Sequence, residues 1–135
     1  MNVTVLREQC KLTLWNGEPN VCQVCNSVII DARRKVYCSA KCSKWFEANH
    51  VWRRARTAAR RRDKYSCTVC GVHKNVTPID VDHREPINGM NYNIPSCMHH
   101  QDNLQTLCKV HHKEKTADEA SLRAAKRKEE KPDSI

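Results

Sequence analysis

Large apolar side chains are scarce in this 135-residue chain. Phe46 is the only phenylalanine, and aromatic residues make up 5% of the total. That length suits one ordinary domain or two very small ones. So thin a core needs a staple. No apolar stretch approaches the roughly 20 residues of a membrane span, so no membrane partner is expected. Residues 1–8 carry no basic segment followed by a long apolar run, which argues against a secretory signal. Acids are also in the minority, 15 against 24 Lys and Arg, for a net charge of +9. The excess is local. Residues 33–64 hold twelve Lys and Arg against two acids, Glu47 and Asp63. A basic middle with near-neutral flanks points to a polyanion partner, most simply nucleic acid.

What the chain has instead is nine cysteines and seven histidines. Disulfides or metal can explain them. The odd count, the short C-x2-C pairs and the nearby histidines favour thiolate-bound zinc in a reducing, cytoplasmic setting. Cys22-x2-Cys25 is followed after twelve residues by Cys38-x3-Cys42. Two such pairs close a tetrahedral zinc site with no open position. Val28-Ile29-Ile30 and Lys35-Val36-Tyr37 read as two short strands between them. Before this module, Val3, Val5, Leu12, Leu14 and Trp15 suit a short strand or a patch packed on it, and Asn16-Gly17 and Pro19 mark turns.

A helix is predicted over about Ser43 to Asp63, a span without Gly or Pro. Trp45, Ala48, Trp52, Ala55 and Ala59 form one stripe of it. Arg53, Arg54, Arg56, Arg60, Arg61 and Arg62 fill most of the rest and are left for phosphate. The tail from Thr116 to Lys131 reads as a helix that continues from the segment before it and then frays, with Pro132 after it.

The second cysteine module opens with Cys67-x2-Cys70 and returns with Cys108-x2-His111, a zinc set of three thiolates and one imidazole. Between the pairs lie Ile79-Asp80-Val81-Asp82-His83, a short strand, and a loop containing Asn88-Gly89 and Pro95. The two modules differ in spacing. Cys97-x2-His100 is a second ligand pair that can replace Cys108-x2-His111, and His99 or His100 can join a separate metal ion. The preferred reading keeps Cys108 and His111 and leaves Cys97, His99 and His100 in a loop. Cys10 reads as a buried thiol, and Asp80 as a strand-edge residue.

Asp82-His83, then Asn103, then His112 nine residues on, interleaved with C-x2-C and C-x2-H pairs, resembles the HNH endonuclease motif over about 50 residues. One departure is His111, where many relatives have a fourth cysteine. The Tyr37-to-Cys42 run resembles small zinc fingers beside nuclease domains in phage and bacterial proteins. The resemblance implies a small α+β, zinc-stabilised fold: a ββα-metal HNH domain preceded by a four-cysteine zinc finger and a basic helix. The segments are 1–43 for the N-terminal part and finger, 44–64 for the helix, 65–118 for the HNH domain and 119–135 for the tail.

The resemblance also implies a metal-dependent DNA endonuclease or nickase that leaves 5′-phosphate and 3′-hydroxyl ends. His83 is the expected general base, a role suited to a neutral imidazole. Asn103 is expected to orient the His83 ring through its carbonyl, although in some relatives the matching residue sits nearer the metal. Asp82 and His112 are the expected ligands of a catalytic Mg²⁺ or Mn²⁺. Arg84 is expected near the scissile strand. Two structural Zn²⁺ ions complete the cofactors. DNA is the partner, and a double-strand break needs a homodimer or two successive nicks. Phage-encoded members, acting in the cytoplasm of a bacterial or infected cell, are typically of this size. A non-catalytic zinc-finger DNA-binding protein is the alternative. An RNA-binding role follows from charge alone but leaves Asp82, His83, Asn103 and His112 unexplained.

Overall fold

A computed structural model describes residues 18–87, 89 and 91–131. The expectations for Val3 to Gly17, Cys10, Asn88 and Pro132 fall outside the described residues. The described chain is a small α+β protein with one two-stranded antiparallel sheet. Its elements are α1 (Ala40–His50), α2 (Trp52–Arg62), β1 (Ile79–His83), β2 (Leu104–Cys108) and α3 (Lys109–Glu129). Two 3-10 turns, Cys97–His99 and Gln101–Asn103, lead into β2. No described helix is long and apolar enough to cross a membrane.

The first module is built on a cysteine knuckle. Asn26 N–H donates to Cys22 O (2.9 Å), and Cys22 N–H donates to Ser27 O (2.8 Å). Asn26 takes a left-handed φ of 60°, which asparagine tolerates better than most residues. The second knuckle repeats this. Gly71 N–H donates to Cys67 O (2.8 Å), Cys67 N–H donates to Val72 O (2.9 Å), and Gly71 has φ 76°. The modules differ in spacing overall, yet their opening turns are the same device. The two short strands expected over 28–30 and 35–37 are not formed. Only a bridge between Val21 and Val28 and a Gln23 N–H bond to Val36 O remain. Ile29 N–H instead donates to Asn20 O (2.7 Å), so both segments bond to residues 20–23 and not to each other.

Ser39 caps α1 by accepting from Cys42 N–H, which places Cys42 in its first turn. The single helix predicted from Ser43 to Asp63 is interrupted. Val51 is extended, with φ −102° and ψ 113°, and separates α1 from α2. No Gly or Pro causes this break; side chains from the distant loop stabilise it. Gln101 Nε2 donates to Ala48 O (2.6 Å) and Ala55 O (3.0 Å), one on each side. Asn49 Oδ1 accepts from Gln101 N–H (3.1 Å). The apolar stripe is therefore split. Trp45 faces the rings of His50 and His100, whereas Ala55 and Ala59 pack on Val81 and Leu104, with Trp52 at the edge. Small alanines let α2 approach the sheet closely.

β1 pairs with β2 in the register Ile79↔Cys108 to His83↔Leu104. Alternation buries Ile79, Val81 and His83, while Asp80 is exposed and Asp82 half-buried. Asp80 sits at this edge as expected and pairs with Arg56 at 3.4 Å. α3 begins directly after β2 at Lys109 and runs unbroken to Glu129, so the tail helix continues from the segment that carries His112.

Candidate functional site

Two clusters bring together the expected ligand sets. Cys22, Cys25, Cys38 and Cys42 form one; Cys67, Cys70, Cys108 and His111 form the other. Within the first, Cys38 Sγ lies 3.6 Å from the sulfurs of both Cys25 and Cys42. Within the second, His111 Nδ1 lies 3.1 Å from Cys108 Sγ and 3.6 Å from Cys67 Sγ. These are edge lengths of a tetrahedron around zinc with bonds of about 2.0–2.3 Å. None of the described cysteines is in a disulfide. The Ser27 hydroxyl leads in pulling the Cys25 thiol down to about 6. At Cys67 burial acts upward, but the backbone N–H groups of the knuckle outweigh it and bring the thiol to about 6. The remaining thiols divide: Cys22 and Cys108 are also lowered, whereas Cys38 and Cys70 are raised and burial pushes Cys42 up to about 12, so each set pairs thiols that ionise readily with thiols that do not. Cys108 ends β2 and caps α3, so the second cluster fixes the strand–helix junction.

That junction positions the polar residues of the site. His112, in the first turn of α3, reaches back to β1, with Nε2 3.6 Å from Asp82 Oδ1. Lys115, one turn later, places Nζ 2.8 Å from Asp82 Oδ2 and also pairs with Glu119. Asp82 thus has one oxygen on an ammonium and the other facing an imidazole. A cation bound at about 2.1 Å to each donor spans such a gap, and the oxygen–imidazole pair suits a divalent ion.

His83 ends β1 on the opposite, inner face and is only 5% exposed. Trp52 stacks on its ring at 4.8 Å, and Tyr92 and His99 close the box. Burial lowers the His83 pKa; Asp82 opposes this and Lys115 reinforces it. Its Nε2 lies 3.0 Å from His99 Nδ1. His99 is itself fully buried, and burial brings it down to about 4, so the pair is neutral near pH 7.

Asn103 does not meet the His83 ring. Its Oδ1 accepts from Glu85 N–H (3.0 Å), and its Nδ2 donates to Met98 O (2.8 Å). It ties together the two ends of the loop between β1 and β2. The ring contact expected of Asn103 is made by His99, while Asn103 holds the loop on both sides and its backbone O accepts from Arg84 N–H (2.7 Å), next to His83. Cys97, His99 and His100 do lie in the loop between β1 and β2, but both histidines are fully buried. The Cys97-x2-His100 spacing was the available signal for them, but it could not indicate which residue they approach.

The arginines divide. Arg62 donates to Gln101 O (2.6 Å) and Leu104 O (2.7 Å) and pairs with Asp63; Arg60 donates to Ile79 O (3.0 Å). Arg54 pairs with Glu47 at 3.7 Å. Arg60 and Arg62 thus hold α2 to its surroundings, whereas Arg54 stays exposed beside Glu47. Arg53, Arg61 and Arg84 are exposed and make no side-chain ion pair among the described residues.

No family model, curated protein or solved structure matches this chain.

Proposed function

We propose that the protein is a metal-dependent DNA endonuclease or nickase of the HNH type. One observation carries this reading: Asp82 and His112 converge across the junction of β1 and α3, next in the chain to His83, on a strand–loop–strand–helix unit. The motif order Asp82-His83, Asn103, His112 supports it. Asp82 and His112 would hold the catalytic Mg²⁺ or Mn²⁺, which when bound supplies polarisation of the phosphate and neutralises the leaving 3′ oxygen. His83 takes the proton of the attacking water. In the tautomer where His83 donates Nε2–H to His99 Nδ1, the lone pair of His83 Nδ1 is free to act as base. Trp52 holds the ring plane. Lys115 orients the Asp82 carboxylate. Arg53, Arg61 and Arg84 supply exposed positive charge for the DNA backbone. Both thiolate-rich clusters hold zinc with full coordination and stay out of the chemistry.

A non-catalytic DNA-binding protein is the second reading. The depth of His83 favours it, because a base must reach water. A supercoiled-plasmid assay with Mg²⁺ or Mn²⁺ separates the two. Wild type is expected to nick, and His83→Ala to lower the rate by about 10²–10⁴-fold with DNA binding retained. Intact plasmid across several metals, together with a gel shift, would leave only the binding reading.

A further inference from the structure

His50 is the last residue of α1, immediately before the break at Val51. Its Nδ1 lies 3.0 Å from Phe46 O. A carbonyl oxygen only accepts, so Nδ1 carries the proton and Nε2 carries the lone pair. That Nε2 faces His100 Nε2 at 3.1 Å. Cys97 completes the group, and the three ligand atoms lie within 4.8 Å of one another. We propose that His50, Cys97 and His100 bind a third zinc ion, at a site sharing no residue with the thiolate-rich clusters or with the Asp82–His112 pair.

Three features fit zinc. Two imidazole nitrogens bound tetrahedrally at about 2.0–2.1 Å stand about 3.3 Å apart, close to the observed separation. One thiolate with two imidazoles is a donor set that zinc accepts. A ligating histidine ordinarily donates its other ring N–H to a carbonyl or carboxylate, as His50 does to Phe46. Both imidazoles are buried among aromatic rings. Phe46 stacks on His50 at 4.4 Å, and Trp45 turns its ring toward both imidazoles. Three protein ligands leave one tetrahedral position for water or a further donor.

The ion would fasten the end of α1 to the loop that joins β1 to β2. That loop already meets α1 where Ser96 N–H donates to His50 O (2.9 Å). Cys97 and His100 flank His99, the residue on the His83 ring. The site therefore sets the position of His99 from both sides. Its existence does not depend on nuclease activity, so its test is independent of catalysis.

Zinc per chain, measured by elemental analysis on the zinc-loaded and dialysed full chain, decides the matter. Three ions per chain are expected in wild type and two in Cys97→Ser. Two ions in wild type, or three in the variant, would overturn the site. X-ray absorption at the zinc edge of wild type provides a measure that needs no variant. The two thiolate-rich clusters alone present seven sulfurs and one nitrogen. The third site adds one sulfur and two nitrogens. A nitrogen share at the two-cluster value also refutes the proposal, whatever happens to the folding of Cys97→Ser.

Discussion

Asp63 shows how a single side chain holds several segments. It follows α2, is nearly buried, pairs with Arg62 through both oxygens, and accepts Thr106 N–H at 3.1 Å. Burial acts to raise its pKa, but the Arg62 guanidinium and Thr106 outweigh it, so the carboxyl lies below its usual range. Its folded-state pKa is depressed, so the stability it supplies is present above the unfolded value of about 4 and is lost as pH falls through the folded value. Asp63→Asn should cost about 1–3 kcal/mol at neutral pH, the worth of hydrogen bonds to a charged group. Urea midpoints of wild type and variant should differ by a constant amount above that range and converge below it. A gap that persists unchanged in acid would contradict this account.

At the scale of elements, α2 does two jobs with one arginine-rich surface. Arg60 and Arg62 use their guanidinium groups on backbone carbonyls of the hairpin and loop. Arg53 and Arg61 remain exposed. Each of the latter, replaced by alanine, should reduce the salt slope of DNA binding by about one while leaving the melting temperature unchanged. Arg62→Ala should instead lower the melting temperature. Fluorescence anisotropy across a salt series and a thermal melt separate the two classes. An unchanged slope in Arg53→Ala and Arg61→Ala would remove α2 from the DNA interface. The density of arginine in this segment is legible from the sequence. Which arginines are occupied is not, because Ile79, Gln101 and Leu104 are distant in the chain.

At the scale of the whole molecule, the described apolar core is three small groups, and two of them are built on cysteines. The third, Ala55, Ala59, Val81 and Leu104, is too small to hold the chain alone; burying Val81 and Leu104 contributes about 1.5–3 kcal/mol each. Zinc held by the two thiolate-rich clusters would then supply folding free energy. An excess of strong chelator should abolish the helical circular dichroism cooperatively, and added Zn²⁺ should restore it. Helical signal that survives complete chelation would show that the core suffices.

Local spacing was enough to reveal the two ligand sets, the strand at Ile79–His83 and a helix in the C-terminal segment. A knuckle needs two cysteines three positions apart, and a strand ending in a polar pair is a short-range pattern. The break at Val51, the loop-tying role of Asn103, the contact of His99 with His83, and the meeting of His50 with Cys97 and His100 emerged only from the folded chain. Each of these joins residues far apart in sequence. Gln101 stabilises a helix break that no local residue favours, and His50 looks like an ordinary helical histidine until the loop is docked against it. Spacing records what the backbone places together locally, whereas packing decides which distant donors share a site.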